Sequence, residues 1–241
     1  MIADKLKFYT GLAMLAVFAV LLVLMFMPIF DGKNALQYLD GLYNSLSKGS
    51  AYFIPELQEE SLEYIGTSTD VVIETESEEQ AEQTAMLYEE AGAEVVILGV
   101  ELEVKGDLGQ ILGSSLDDAD AMYYNDAETV TDRYGYDARQ VLYNWWVSLE
   151  EMNKALEEEN MFEGAKVVRS VNEKGIEPAY NFFEIEAQSV SARIGLVIFS
   201  LVFYVIYTVW YGFALMFMVE GLGLKIRQMF LFRFVARVKL T

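Results

Sequence analysis

The densest group of potential ligands in the chain is acidic: Asp117, Asp118, Asp120, Asp126 and Glu128, all within the segment SLDDADAMYYNDAE. Carboxylate oxygens at this density suit a hard cation, and calcium takes six to eight of them. An EF-hand loop sets its ligands at alternate positions, with Gly sixth and Glu twelfth. Counted from Asp118, the sixth residue is Tyr123 and the twelfth is Thr129, so that loop is not present. The five carboxylates stand as candidates for a cation site of another geometry. The competing reading is a solvated acidic face that keeps the surrounding domain soluble.

A second pattern is hydroxylic and lies in a strongly apolar run near the C-terminus. Ser200, Tyr204, Tyr207, Thr208 and Tyr211 fall on one side of a helix, inside the uncharged segment Ile194 to Val219. Aromatic belts belong at the ends of membrane helices, but Tyr204 and Tyr207 stand near the middle of this one. In hydrocarbon their hydroxyls require partners. The first apolar run has no Ser, Thr or Tyr between residues 11 and 27, so the spacing predicts contact with helices of another protein. A third group, Tyr143 with Trp145 and Trp146, is set on a predicted helix. Trp145 lies on its apolar seam, and Trp146, about 100° around, is the interface candidate.

The residue types that are absent narrow the chemistry. The chain contains no His and no Cys, which removes His- or Cys-ligated metal and haem sites, thiol redox and His-based triads. Paired carboxylates can hydrolyse glycosides, yet among so many acids no pair is singled out, and no Ser–Lys dyad stands in a Gly-rich setting. The sequence predicts no cofactor and a non-catalytic chain, with a carboxylate-only hydrolase as the third reading.

Two apolar runs must position all of this. Phe8 to Phe30 and Ile194 to Val219 contain no charged residue, and each exceeds the roughly 20 residues needed to span a bilayer. Of 37 acids, 35 lie between Asp31 and Gln188; residues 31–191 carry 9 bases and a net charge of −26. Nucleic acid is excluded as a partner of that region, because phosphate binding needs clustered cations. Lys5 and Lys7 precede the first run, and Lys225, Arg227, Arg233, Arg237 and Lys239 follow the second. The positive-inside rule places both termini in the cytoplasm and 31–191 outside. The five C-terminal cations are interspersed with Phe, Leu and Val, a composition suited to anionic lipid or a partner's edge.

The expected organisation is a cytoplasmic N-terminus (1–7), an uncleaved signal-anchor span (8–30), one acidic extracytoplasmic α+β domain (31–191), a second span (192–219) and a basic amphipathic tail (220–241). Within the domain the expected order is α-α-β-α-β-α-α-β-β. Ser77-x-x-Gln80 reads as a capping box opening a helix that Gly92 closes. Ala93 to Lys105 reads as one long strand, Asp126 to Gly135 as a loop, Ala138 to Glu159 as the strongest soluble helix, and Ala165–Val171 with Pro178–Ile185 as two strands around a turn. The chain is expected in a prokaryotic inner membrane as an accessory or assembly subunit of a larger complex, an energy-converting or electron-transfer assembly being a natural host. The expected partners are other integral membrane subunits, a basic extracytoplasmic protein docked on the acidic domain, and anionic lipid at the tail. The alternative is a ligand-sensing module acting through a separate output protein.

Overall fold

A computed structural model describes residues 2–224. The molecule divides into two compact units, one built from the two ends of the chain and the other from Tyr43–Val190.

The first unit contains two helices long and apolar enough to cross a membrane, α1 (Lys5–Phe26) and the C-terminal helix (Val190–Gly221). Asp4 caps α1 through Lys7 N at 3.1 Å. The helix stops at Met27, held extended by the proline that follows. At about 1.5 Å per residue, 22 residues span about 33 Å, matching a hydrocarbon core. The two helices run antiparallel and touch at glycines. A Cβ on Gly11 would lie 2.6 Å from Met218 N, and one on Gly221 would lie 2.5 Å from Phe8 N. Lys7 pairs with Glu220 at 2.8 Å at the same end. The break expected at Asp31-Gly32 is a tight turn. Both residues have positive φ, and Phe30 and Lys33 exchange backbone hydrogen bonds across it. Asn34 and Gln37 then cap α2 (Ala35–Ser50) reciprocally.

The second unit is mainly helical, with a three-stranded antiparallel sheet of order β1-β3-β2. After α3 (Ile54–Leu62), β1 (Ser68–Glu74) alternates buried and exposed residues. Ser77 accepts from Gln80 N to start α4 (Glu78–Glu90), and Gly92 leaves it at φ +84°. The chain returns through β2 (Glu94–Leu98) and β3 (Glu101–Asp107), then α5 (Leu108–Tyr123), α6 (Ala127–Tyr134) and α7 (Ala138–Glu158). It ends in α8 (Phe162–Val171), a π-helical turn (Asn172–Ile176) and α9 (Glu177–Asn181), before the C-terminal helix, α10. Val71 and Ile73 of β1 and Leu102 and Val104 of β3 face the core, where α7 contributes Val141, Trp145, Leu149, Met152 and Leu156, all fully buried. That seam is the one the helical spacing predicts.

Three elements differ from expectation. The strand expected over 93–105 is a hairpin. Leu98 pairs with Glu101 across Gly99-Val100, and Gly99 supplies φ +72° at the first turn position, as a type II′ turn requires. The segment 126–135 is a helix, capped by Asp126 and closed by Gly135 at φ +77°; Val130 and Tyr134, one turn apart, are buried. Neither strand expected at 165–171 and 178–185 forms: the first is helical, and in the second Pro178–Asn181 belong to α9 and 182–184 to a turn. Val167 and Val168 favour strands intrinsically, but Ala165, Val168, Val171 and Ala179 bury a helical face. Tertiary packing overrides that local preference, and Pro178 sits in the first turn of α9, where its missing N–H costs nothing.

Candidate functional site

The five acidic candidates are dispersed to separate tasks. Asp118 is completely buried. Its Oδ2 accepts from Tyr134 OH at 2.7 Å and Trp145 Nε1 at 2.8 Å, while Oδ1 pairs with Arg133 at 2.6 Å. Burial pushes its carboxyl above the ordinary carboxylate range, with the three donors opposing that shift. Asp117 accepts from Gln58, and Asp120 accepts from Tyr52 OH at 2.8 Å. Asp126 caps α6 through Thr129, and Glu128 is exposed on its first turn. Among the described residues, no three acidic side chains converge on a point where a metal could sit. Asp118 is a structural pin joining α5, α6 and α7. Of the two ring donors that hold it, Trp145 reads in the sequence as apolar core and Tyr134 falls in the segment expected as a loop.

Trp146 is half-buried on the far side of α7, stacked on Tyr180 at 6.1 Å and edge-on to Tyr143 at 6.0 Å. Arg139 lies 5.1 Å from the Tyr180 ring. Tyr143 also borders a polar recess of about 300 Å³, lined by Glu76, Ser77, Glu79, Gln80, Gln83 and Gln140. Fully buried Asn144 ties three of the lining glutamines together, accepting from Gln140 Nε2 at 2.9 Å and Gln80 Nε2 at 3.3 Å. Its own amide donates to Gln83 Oε1 at 3.2 Å and Tyr136 OH at 3.4 Å. Burial lifts the Tyr136 hydroxyl to about 12, so it stays protonated and donates to the Gln83 carbonyl. The result is a recess of fixed amides and carboxylates with an aromatic edge. It is equipped to hold a polar molecule by hydrogen bonds. Gln80 reads in the sequence only as a capping residue, and Gln83, Gln140 and Asn144 carry no reading there. Their one signal is the i, i+4 amide pair Gln140–Asn144, which becomes informative only once α4 is known to pack on α7.

A second feature missed in the sequence is Lys48, almost fully buried and, among the described residues, without a carboxylate in hydrogen-bond contact. It donates to Asn125 Oδ1 at 3.0 Å and the Ile185 carbonyl at 2.6 Å, beneath the Tyr123 ring. Burial lowers its pKa, with Glu186 opposing. Asn125, at φ +61°, also accepts from Glu184 N. This latch ties the end of α2 to the segment just before α10.

In the paired helices, the hydroxylic face of α10 divides. Tyr207 stacks on Phe18 at 4.3 Å, and its hydroxyl reaches the Phe18 carbonyl at 3.4 Å. Tyr211 also packs on Phe18, and Trp210 Nε1 donates to the Met14 carbonyl at 3.0 Å. The first apolar helix therefore does supply acceptors: its backbone carbonyls serve where it has no polar side chains. Ser200 donates back to Val197 O. Tyr204 and Thr208, one turn apart, point elsewhere. Tyr204 is 67% exposed, Thr208 is exposed, and neither hydroxyl has a partner among the described residues. Gly212, one turn further, has open space where a Cβ would stand. Lys225, Arg227, Arg233, Arg237 and Lys239 lie outside the described residues.

No protein-family profile, curated protein or solved structure matches this chain.

Proposed function

We propose that this chain is a two-span membrane protein acting as a non-catalytic accessory or assembly subunit of a larger membrane complex. The observation that carries the reading is the outward ridge of α10, where the Tyr204 and Thr208 hydroxyls stand exposed at mid-helix beside the open Gly212. In hydrocarbon, such groups are stabilised by a neighbouring helix that supplies hydrogen bonds and approaches closely at the glycine. The charge distribution supports cytoplasmic termini and an acidic domain on the opposite side of a prokaryotic inner membrane. On that side the domain's negative field speeds encounters with a basic protein. The basic tail then meets anionic lipid.

Extraction in mild detergent, followed by native-size analysis and mass spectrometry, tests the proposal. Other membrane subunits should co-purify, and Tyr204→Phe with Thr208→Val should release them. A species containing this chain alone would overturn the accessory role.

The amide-lined recess favours a second reading, in which the acidic domain senses a polar ligand and passes the signal to a separate output protein. A thermal-shift series on the full chain against neutral sugars, polyamines and amino acids distinguishes the two. A saturable rise lost in Gln140→Ala supports sensing; no response to any class removes it.

A further inference from the structure

The hairpin of the acidic domain exposes an unusual edge. Strand β2 is an outer strand of the sheet, and Val96, Ile97 and Leu98 are 52%, 44% and 52% exposed. Edge strands are ordinarily protected by charge, proline or a bulge. This one has no proline, no bulge in its pairing with β3, and one charge, at its first residue.

The register decides which backbone groups face outward. The Val100 carbonyl accepts from Thr75 N on the β1 side of the hairpin. Glu101, Glu103 and Lys105 therefore turn their amides and carbonyls toward β2, where their partners are Leu98, Val96 and Glu94. By the same alternation, the amides and carbonyls of Val95 and Ile97 point away from the sheet, and among the described residues they bond to nothing else.

We propose that β2 pairs antiparallel with β2 of a second copy of this chain, about a two-fold axis through Val96, joining two three-stranded sheets into one. In that register Val95 stands opposite Ile97 of the second copy, and the symmetric pair repeats it. All four outward-facing residues of the two strands then exchange hydrogen bonds. Val96 meets Val96, and Glu94 meets Leu98, so no like charges are opposed along the seam. Shifting the two-fold to Val95 or Ile97 keeps only one outward-facing residue of each strand paired within β2. The sequence EVVIL is thus complementary to itself in the register that its free backbone groups demand. Mutual repulsion between two acidic domains opposes the pairing and is screened by salt, so the dimer grows with ionic strength.

A single introduced cysteine reports the register, since the chain has none of its own. Residues opposed in a non-hydrogen-bonded antiparallel pair have Cα atoms about 4.5 Å apart, within disulfide range. In native membranes under mild oxidation, Val96→Cys should form a homodimeric disulfide far faster than Val72→Cys, equally exposed on β1 at the other edge. In detergent, Val96→Lys should lose the species of two copies while retaining the wild-type circular dichroism spectrum. Equal cross-linking at 96 and 72, or capture of a different protein at 96, would overturn the proposal. The outcome is separable from the accessory role: a pair of copies with no other subunit attached supports the β2 seam and removes the accessory reading.

Discussion

Asp118 in the domain core and Tyr204 on an apolar helix are polar groups in apolar surroundings, and the two units treat them oppositely. In the acidic domain, Asp118 has three donors from three different side chains, two of them neutral and one cationic. On the paired helices, Tyr204 presents its hydroxyl with no partner among the described residues, although Tyr207 and Trp210, one and nearly two turns further along, reach carbonyls of α1. The difference teaches where each unit ends. A group satisfied within its own unit locates a core; an unsatisfied one on an apolar helix is the feature on which the proposed contact with another subunit rests.

The strongest way to break this comparison is at the buried carboxylate. Asp118→Ala leaves Arg133, Tyr134 and Trp145 aimed at an empty position, and removing one member of a buried ion pair costs about 3–5 kcal/mol. Denaturant unfolding of the full chain in detergent should show that loss; a change under about 1 kcal/mol would mean the donors find water instead. Next is the helix contact. Gly11→Leu places side-chain atoms where Met218 and Ala214 backbone already stand, and overpacking of this kind costs roughly 1–3 kcal/mol. The midpoint of an SDS titration should fall accordingly, and an unshifted midpoint would mean the two helices separate at little cost.

The Tyr204 hydroxyl is a smaller quantity. Hydrogen bonds between membrane helices are worth roughly 0.6–2 kcal/mol, so Tyr204→Phe should loosen the assembly by about 3- to 30-fold without altering the SDS midpoint of the chain itself. If the midpoint moves and assembly does not, the hydroxyl serves this chain's own fold. The smallest effect is electrostatic. Because burial raises the folded pKa of Asp118, the stability linked to it is full below the unfolded value, near about 3.9. It is lost as the pH rises through the folded pKa. The difference in stability between wild type and Asp118→Asn should therefore move in favour of wild type as the pH falls from neutral. A constant difference would show that the carboxyl titrates alike in both states.

Several elements were legible from local chemistry. The capping box Ser77–Gln80, the seam of α7 and the presence of two apolar helices depend on neighbours within a few residues, so spacing alone reveals them. The misread segments failed for one shared reason. An apolar run such as Glu94-Val95-Val96-Ile97-Leu98 looks the same whether it is buried between neighbours or left at an edge, and Gly99 just after it fits a strand interior as well as a turn until the pairing of Leu98 with Glu101 is known. Val167-Val168 likewise carries strand preference that only the packing of α8 on α7 reverses. Of the candidate site residues, the acidic cluster was visible as density, but its division into one buried pin, two side-chain acceptors, a cap and an exposed carboxylate was not.

The sequence by itself determined the composition of the two units: which runs are apolar enough to leave water, where the acids are concentrated, and which reactions are impossible without His or Cys. Those properties belong to residue types and their order along the chain. Only the tertiary structure decided which polar groups find partners, that Asn144 fixes three glutamines around a recess, that Lys48 closes a latch on Ile185, and that β2 stands free at an edge. Each of these depends on atoms brought together from distant positions, and hydrogen bonds act over about 3 Å in space regardless of separation in sequence.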